Sequence, residues 1–415
     1  MTKVLLRIIE RHADEAAFLW ESRERACRSP LHDVASLTEL DRRLDANLEG
    51  LVLAGEAGLG AAVDAAARGG AAELFPALHV AAELGDRMAL ARLLLAAERK
   101  VGGERAAASA LAWLSPARAR TILPELLAPE CPPSLQSVGI AAHVARGEDP
   151  GDALERALHA PDAGLRGRAA RAVGQLARRD LLPLVSAEGR SAGGDAGAWA
   201  AWAAVLLGEE ACLPRLWEAS AEGGRVAQAA CDLAARTADA AEVMARIQAL
   251  SGAPATLPAA LAGAAARGDS ACIPWVLDVV EQDPSLSRRG LWVFATITGA
   301  RLEPPVAVRA PTIDPSDASL ARAAADPFED LPSPDASALR ALWEELRPRF
   351  PAGERRLGGR GVEPGWVEAC LRTAPQPWRE SAAIERARGG RGAPFCVHAP
   401  GYEQSARLRS AGGTC

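Results

Sequence analysis

Apolar and polar residues alternate along most of this chain with the period of an α-helix. The clearest stretch is 37–53, where leucines recur every three or four residues, at Leu37, Leu40, Leu44, Leu48 and Leu51. Such a stripe predicts an amphipathic helix that buries one face. The middle of the chain shows no period-two alternation of the kind typical of strands, so the pattern predicts an all-α fold.

A unit of about thirty residues recurs through this helical pattern. In each unit an Ala-rich helix precedes an acidic loop, and a Leu/Val-rich helix follows it. The acidic positions lie 29 to 31 residues apart, at Asp149, Asp180, Glu210, Asp239 and Asp269. A proline enters the second helix at Pro124, Pro183, Pro214 and Pro274. A fixed period of this length predicts an α-solenoid, because one such unit cannot bury its apolar face alone.

The periodic acidic residues have two interpretations. A row of carboxylates is one way to build a ladder of ligands. However, Asp or Glu before a helix accepts hydrogen bonds from the free amides of its first turn. Proline in that turn sacrifices no hydrogen bond, because those amides have no helical partner. The pattern therefore favours helix capping over ligand binding.

The chain divides by composition into four regions. Residues 1–100 form a helical N-terminal cap with a different spacing, and 101–302 contain the repeats. Residues 303–335 form an acidic, Pro-rich linker. Residues 336–415 form a C-terminal helical segment, whose Gly/Arg-rich tail from Gly389 onward is expected to be loose.

Charge and hydropathy restrict the class of protein. Among 415 residues, 49% are hydrophobic and 24% charged, as in folded soluble proteins, and the net charge is −6. Nucleic-acid binders usually carry a basic excess, so a nucleic-acid partner is not expected. The start of the chain has no signal-peptide pattern, and no apolar stretch is long enough to predict a membrane span. We therefore expect a cytoplasmic protein.

Motifs for catalysis or metal binding are not evident. The eight cysteines form no Cys-x-x-Cys pair, and the six histidines occur singly. The sequence also contains no phosphate-binding loop, dinucleotide fingerprint or nucleophile elbow. We predict no catalytic residue, no metal and no cofactor.

Tryptophans provide the main candidates for a partner-binding surface. Trp199 and Trp202 lie three residues apart, so a helix places both on one face. Trp217, Trp275 and Trp292 could extend an aromatic surface along the repeats. The alternative is that these rings fill gaps beside alanines in the core. Tryptophan is a favoured interface anchor, so the partner-binding interpretation is kept beside the packing one.

A glycine-rich loop is a second, weaker candidate. Gly358-Gly359-Arg360-Gly361 follows Arg355-Arg356. Backbone amides and guanidinium groups in such a loop can hold an anion. A simple turn between two elements explains the same residues.

The middle of the chain resembles the short HEAT-like repeats of bilin lyases and many bacterial scaffolds. The ends carry a more specific pattern, in 12–23, 40–46, 50–51, Phe294-Ala-Thr-Ile-Thr-Gly299, Trp366, Gln376-Pro377-Trp378-Arg379, Phe395 and Ala399-Pro400. These stretches resemble a conserved-hypothetical HEAT-like family of Gram-negative bacteria over nearly the full length. Members of that family are often encoded beside type VI secretion components and their effectors. The resemblance implies an accessory, adaptor or immunity-like role and carries no catalytic residue.

Two functional hypotheses follow. The first is a non-enzymatic interaction scaffold or adaptor for another protein, accessory to a type VI secretion or toxin system. The alternative is a HEAT-like repeat enzyme of the bilin-lyase or DNA-glycosylase kind. The enzyme hypothesis predicts that arginine, aspartate and tryptophan converge in one concave pocket.

Overall fold

The computed structural model describes residues 6–224, 226–301, 307–308, 326–390 and 392–411. This part of the chain is almost entirely α-helical, with two pairs of two-residue strands, so the all-α prediction is confirmed. The chain folds into two compact units. Unit 1 comprises Met1–Cys27, Val34–Leu176 and His398–Cys415, and unit 2 comprises Arg28–Asp33 and Ala177–Val397.

The helices of unit 1 are α1 (Leu6–Ala26), α2 (Val34–Leu53), α3 (Glu56–Arg68), α4 (Ala71–Leu84), α5 (Arg87–Glu98), α6 (Gly103–Ala112), α7 (Pro116–Leu126), α8 (Pro133–Arg146), α9 (Asp152–Leu158), α10 (Ala163–Leu176) and, at the C-terminus, α22 (Gly401–Ala411). Helices α4, α6, α8 and α10 pack side by side in one layer. Helix α5 packs on α4 and α6, α7 packs on α6 and α8, and α9 packs on α10. These helix pairs start at residue 71, inside the region that the sequence assigned to the N-terminal cap.

Unit 2 contains α11 (Leu182–Ser191), α12 (Gly194–Leu206), α13 (Leu213–Glu222), α14 (Ala227–Thr237), α15 (Ala240–Leu250), α16 (Leu257–Arg267), α17 (Ile273–Gln282), α18 (Ser287–Thr298), α19 (Ala336–Leu346), α20 (Pro364–Thr373) and α21 (Gln376–Arg388). Short 3-10 turns cover Arg179–Leu181, Glu210–Cys212, Ser270–Cys272 and Arg347–Arg349. The strands are β1 (Ala307–Val308), β2 (Ser333–Pro334), β3 (Arg356–Leu357) and β4 (Arg360–Gly361), paired antiparallel as β1–β2 and β3–β4.

Unit 2, like unit 1, has one layer of helices packed side by side and a second layer that covers it. Helices α12, α14, α16 and α18 pack in sequence, and their partners α11, α13, α15 and α17 cover them. Small residues allow α14 and α16 to approach closely, since a Cβ added to Gly263 would lie 2.7 Å from the Cys231 sulfur. Helix α19 packs on α17, and α20 packs on α21. These C-terminal helices form the clefts described below.

The capping prediction is confirmed at two of the five acidic positions. Asp239 accepts the Glu242 amide at 2.9 Å at the start of α15, and Asp269 accepts the Ala271 amide at 3.0 Å before α17. Asp149 accepts a loop amide instead. Asp180 lies within a 3-10 turn, where it pairs with an arginine, and Glu210 lies in a similar turn without a capping bond.

The prolines follow the predicted placement in three helices. Pro183, Pro214 and Pro274 lie in the first turns of α11, α13 and α17. Pro124 differs, because it lies near the end of α7, which begins at another proline, Pro116. The first-turn position requires no amide from proline, which explains why the repeat tolerates it there.

The tail that was predicted to be loose contains an ordered helix. The Gly401 amide, at the start of α22, donates to the Asp41 carboxylate at 2.6 Å, and α22 packs on α2. Arg23 pairs with Asp41 at 2.6 Å and donates to the carbonyls of His398 and Ala399 at 2.8 and 3.1 Å. A Gly/Arg-rich composition signals looseness, but this buried ion pair supplies partners for the tail's backbone.

The predicted linker 303–335 lies mostly outside the described residues. Its described part places Phe328 beside Trp292, with ring centroids 6.3 Å apart, and buries Leu331 completely. β2 also belongs to this region and pairs with β1. The end of the linker is therefore packed within unit 2.

Among the described helices, none is by itself long and apolar enough to cross a membrane. Helices α2 and α3 meet the length and composition criteria only as a pair, and this pair is bent by 119°.

Candidate functional site

The five candidate tryptophans have different environments. Trp202, Trp217 and Trp292 are 7%, 4% and 6% exposed, whereas Trp199 and Trp275 are half-buried. Trp199 and Trp202 lie on one face of α12, and their rings meet edge to face at a centroid distance of 5.7 Å. A partner could therefore reach Trp199 and Trp275 directly, while the other three contribute to packing in this structure.

Trp292 illustrates this packing role. Its ring lies 5.3 Å from that of Trp378 on α21. The Trp378 indole nitrogen donates to the Thr296 hydroxyl at 2.9 Å, so α21 is joined to α18 by both rings and a hydrogen bond. Thr296 and Trp378 thus meet at a junction within unit 2.

The glycine-rich loop forms a tight β-turn between β3 and β4. Gly358 and Gly359 have φ values of 60° and 75°, in the left-handed region that favours glycine. Both amides point to the Thr296 carbonyl, at 2.7 and 3.3 Å. These two amides, which the sequence pattern indicates as a candidate site for an external anion, therefore join this turn to α18 instead.

The three arginines of the loop are also engaged. Arg355 pairs with Glu385, and Arg356 is 6% exposed and pairs with Glu354. Arg360 lies over the Trp366 ring, with 4.4 Å from its guanidinium carbon to the ring centroid. The anion that Arg355 binds in this structure is thus a carboxylate of α21.

Glu385 is the centre of an arginine cluster in unit 2. Its side chain, 7% exposed, accepts from Arg236 at 2.7 Å, from Arg355, and from Arg388 at 3.3 Å. Arg236 also donates twice to Asp232, at 2.7 and 2.9 Å. Burial acts to raise the pKa of Glu385, but the charges and hydrogen bonds of Arg236 and Arg355 outweigh it and lower the pKa to about 2.

An open cleft of about 360 Å³ lies at the end of this cluster. We call it the arginine cleft. It is lined by Val362, Pro364, Val367, Glu385, Arg386, Arg388 and Gly389. Its volume falls within the roughly 300–1,000 Å³ of small-ligand sites, and it combines an apolar wall with charged groups, as such sites commonly do.

A second cleft, of about 520 Å³, lies between α17 and α19. We call it the Trp343 cleft. One wall carries Pro274 and Leu277, the other carries Trp343, and Phe350, Pro351 and Ala352 close one end. Leu277 and Trp343 are buried at 2% and 6% exposure, so the cleft has an apolar floor.

Hydrogen bonds hold the walls of the Trp343 cleft in place. Asp269 accepts the Gly353 amide at 3.0 Å, and Ser270 donates to the Phe350 carbonyl at 2.9 Å. Arg340 reaches from α19 to Asp278 and Glu281 on α17, at 2.7 Å each. The cleft is therefore preformed, and the charge of Arg340 is already paired.

Three buried cysteines of unit 2 lie outside the linings of both clefts. Burial raises the pKa of the Cys231, Cys272 and Cys370 thiols to about 12, the opposite of what a reactive thiolate requires. Among the described residues, no group of three or more His, Cys, Asp or Glu is placed to hold a metal ion. The lining of the Trp343 cleft includes arginine and tryptophan but no aspartate, so the convergence expected for a repeat enzyme is incomplete there.

The fold and the clefts define an all-α protein of stacked helix pairs, with two open clefts in unit 2. No protein-family model, curated protein or solved structure matches the chain.

Proposed function

We propose that this chain is a non-enzymatic, cytoplasmic adaptor that binds another protein, and that its helix pairs belong to a solenoid of short HEAT-like repeats. The recurrence of the pairs supports this proposal, because within each unit the layer helices start 30 to 33 residues apart. Repeats of this length commonly present extended surfaces to partners. The family resemblance points to a type VI secretion component or effector as the partner.

The Trp343 cleft is the observation that carries the proposal. Its apolar floor and its preformed walls suit the apolar side chains of a partner, because docking there requires little reordering of the free protein. Aromatic anchors in such clefts commonly dominate binding energy.

The test compares two variants, each of which replaces one exposed alanine by arginine. Ala352→Arg places a long side chain at one end of the cleft, and Ala67→Arg places the same side chain at an exposed position of α3 in unit 1. Each tagged full-length variant is purified from the native host, and the bound proteins are quantified by mass spectrometry. We expect a protein that co-purifies with the wild type to fall by about tenfold or more with Ala352→Arg, and to be unchanged with Ala67→Arg.

Thermal melts establish that both variants fold as the wild type does. The adaptor proposal fails if no protein is enriched over a tag-only control. Docking in the Trp343 cleft is rejected if Ala352→Arg and Ala67→Arg retain the partner equally.

A further inference from the structure

We propose that the arginine cleft binds the C-terminal carboxylate of a partner protein whose last side chain is apolar. This inference rests on the proposed adaptor function and adds the chemistry that selects the partner. It requires cationic groups that lack sufficient counter-charge, and an adjacent apolar wall for the terminal side chain. Both are present in unit 2.

The cationic groups are Arg386 and Arg388 at the end of α21. Arg388 contacts Glu385 at 3.3 Å, and among the described residues this is its one ion pair. The Arg386 Nε lies 3.3 Å from a Glu368 oxygen, and in the described part of the chain this is its one ion pair. Each guanidinium carries five N–H donors, so both retain donors for a ligand.

The charge balance of the cluster favours one added negative charge. The guanidinium groups of Arg236, Arg355 and Arg388 share the two carboxylates of Asp232 and Glu385, and Arg386 pairs separately with Glu368. Burial lowers the pKa of Arg388; Glu385 opposes this shift, and repulsion from Arg355 and Arg236 adds to it. A carboxylate supplies the single charge that the cluster lacks, whereas a phosphomonoester carries about −1.5 to −2 near pH 7.

The apolar wall selects what is attached to the carboxylate. Val362, Pro364 and Val367 line the same cleft as the two arginines. In a peptide chain, an apolar last residue holds its side chain next to its carboxylate, which matches this juxtaposition. Capture of a terminal carboxylate is an established mode of peptide recognition. Guanidinium groups suit it, because they bind carboxylates through paired, parallel hydrogen bonds.

The probes are fluorescein-labelled hexapeptides that end in alanine, valine, leucine or phenylalanine. Each is made as the free acid and as the C-terminal amide, and binding to the full-length protein is followed by fluorescence anisotropy. We expect at least one free acid to bind with a Kd below about 100 µM, and its amide to bind at least about tenfold more weakly. Acetate and inorganic phosphate serve as competitors.

Three variants and one control locate the site. Arg386→Gln and Arg388→Gln should each weaken the free acid by about tenfold or more, as expected for a lost charged hydrogen bond. Val362→Glu keeps both arginines but places a carboxylate inside the cleft, and it should also block the peptide. Arg349→Gln removes an exposed arginine elsewhere in unit 2 and should leave affinity unchanged. Thermal melts of all four establish folding.

Equal affinity of acid and amide, or no binding of any acid at about 1 mM, overturns the proposal. Unchanged binding by Val362→Glu also overturns it. If acetate or phosphate displaces the labelled peptide at a concentration equal to that of the peptide, the cleft is a site for small free anions and the proposal is rejected. The adaptor function is judged separately, because the Ala352→Arg comparison does not involve the arginine cleft.

Discussion

Replacement of Glu385 by glutamine should destabilise unit 2 more than any surface charge change. Glu385→Gln keeps the size and shape of the side chain but removes the negative charge shared by Arg236, Arg355 and Arg388. Arg236 is 4% exposed and would lose one of its two carboxylate partners. Loss of one partner from a buried ion pair commonly costs about 3–5 kcal/mol, because the remaining charge stays desolvated.

The shifted pKa of Glu385 gives a second route to the magnitude. The folded-state pKa is about 2, compared with an ordinary value of 4.5. At about 1.4 kcal/mol for each pKa unit, this difference corresponds to about 3 kcal/mol of stability. The pKa is lowered on folding, so this contribution is fully present above pH 4.5. It is lost as the pH falls from 4.5 towards 2.

The assay is urea denaturation of the wild type and Glu385→Gln, followed by circular dichroism between pH 2.5 and 7. We expect the variant to be less stable by about 3 kcal/mol at pH 7, and the difference to shrink below pH 4.5. Glu344→Gln is the matched control, because that side chain is 71% exposed. A variant within about 0.5 kcal/mol of the wild type at pH 7, or a difference independent of pH, would refute the reasoning.

Three further predictions concern packing, caps and a buried histidine. Burial lowers the pKa of His79 to about 4, so the neutral side chain stabilises the folded state less as the pH falls. The wild type should lose up to about 3 kcal/mol of its free energy of unfolding between pH 6.5 and 4. His79→Leu should lack this loss in the same urea titration. Gly263→Ala should cost about 1–3 kcal/mol in thermal melts, because its Cβ would meet a sulfur at 2.7 Å, whereas Gly60→Ala, with open space in α3, should be neutral or stabilising. Asp239→Ala should cost about 1 kcal/mol through loss of a cap, and Asp180→Ala much less; equal costs would contradict the distinction.

The layered helices could be predicted from the sequence because their signal is local. Helical periodicity, acidic loops and first-turn prolines each act within a few residues, and Asp239 and Pro274 occupy the positions expected of them. Helices α4 and α5 lie outside the run of acidic positions used to recognise the repeat, so the sequence pattern did not group them with the later helix pairs. The order of α22 was missed for another reason. It depends on Arg23 and Asp41, more than 350 residues away in the sequence.

The candidate sites depend more than the layered helices do on contacts between residues that are distant in the sequence. A loop of glycines and arginines indicated anion binding near Arg355, and the structure places a carboxylate there, but it comes from Glu385. No local pattern links these residues, which are thirty positions apart, and Glu385 also accepts a hydrogen bond from Arg236 of α14. The Trp343 cleft gave no sequence signal, because its walls come from α17 and α19, on either side of the predicted linker.

Arginines near the ends of the layer helices explain how α21, which carries the arginines of the cleft, is held on unit 2. Within unit 1, Arg146 at the end of α8 donates to the carbonyls of Ala112 and Leu114 at the end of α6. Within unit 2, Arg267 at the end of α16 donates in the same way to the Ala238 carbonyl after α14. Arg236 holds the corresponding place on α14, yet its guanidinium binds Asp232 and a carboxylate of α21. Arg236 therefore joins α14 to α21, the helix that carries the arginines of the cleft. We expect a change at Arg236 to disturb the cleft before it disturbs the layer.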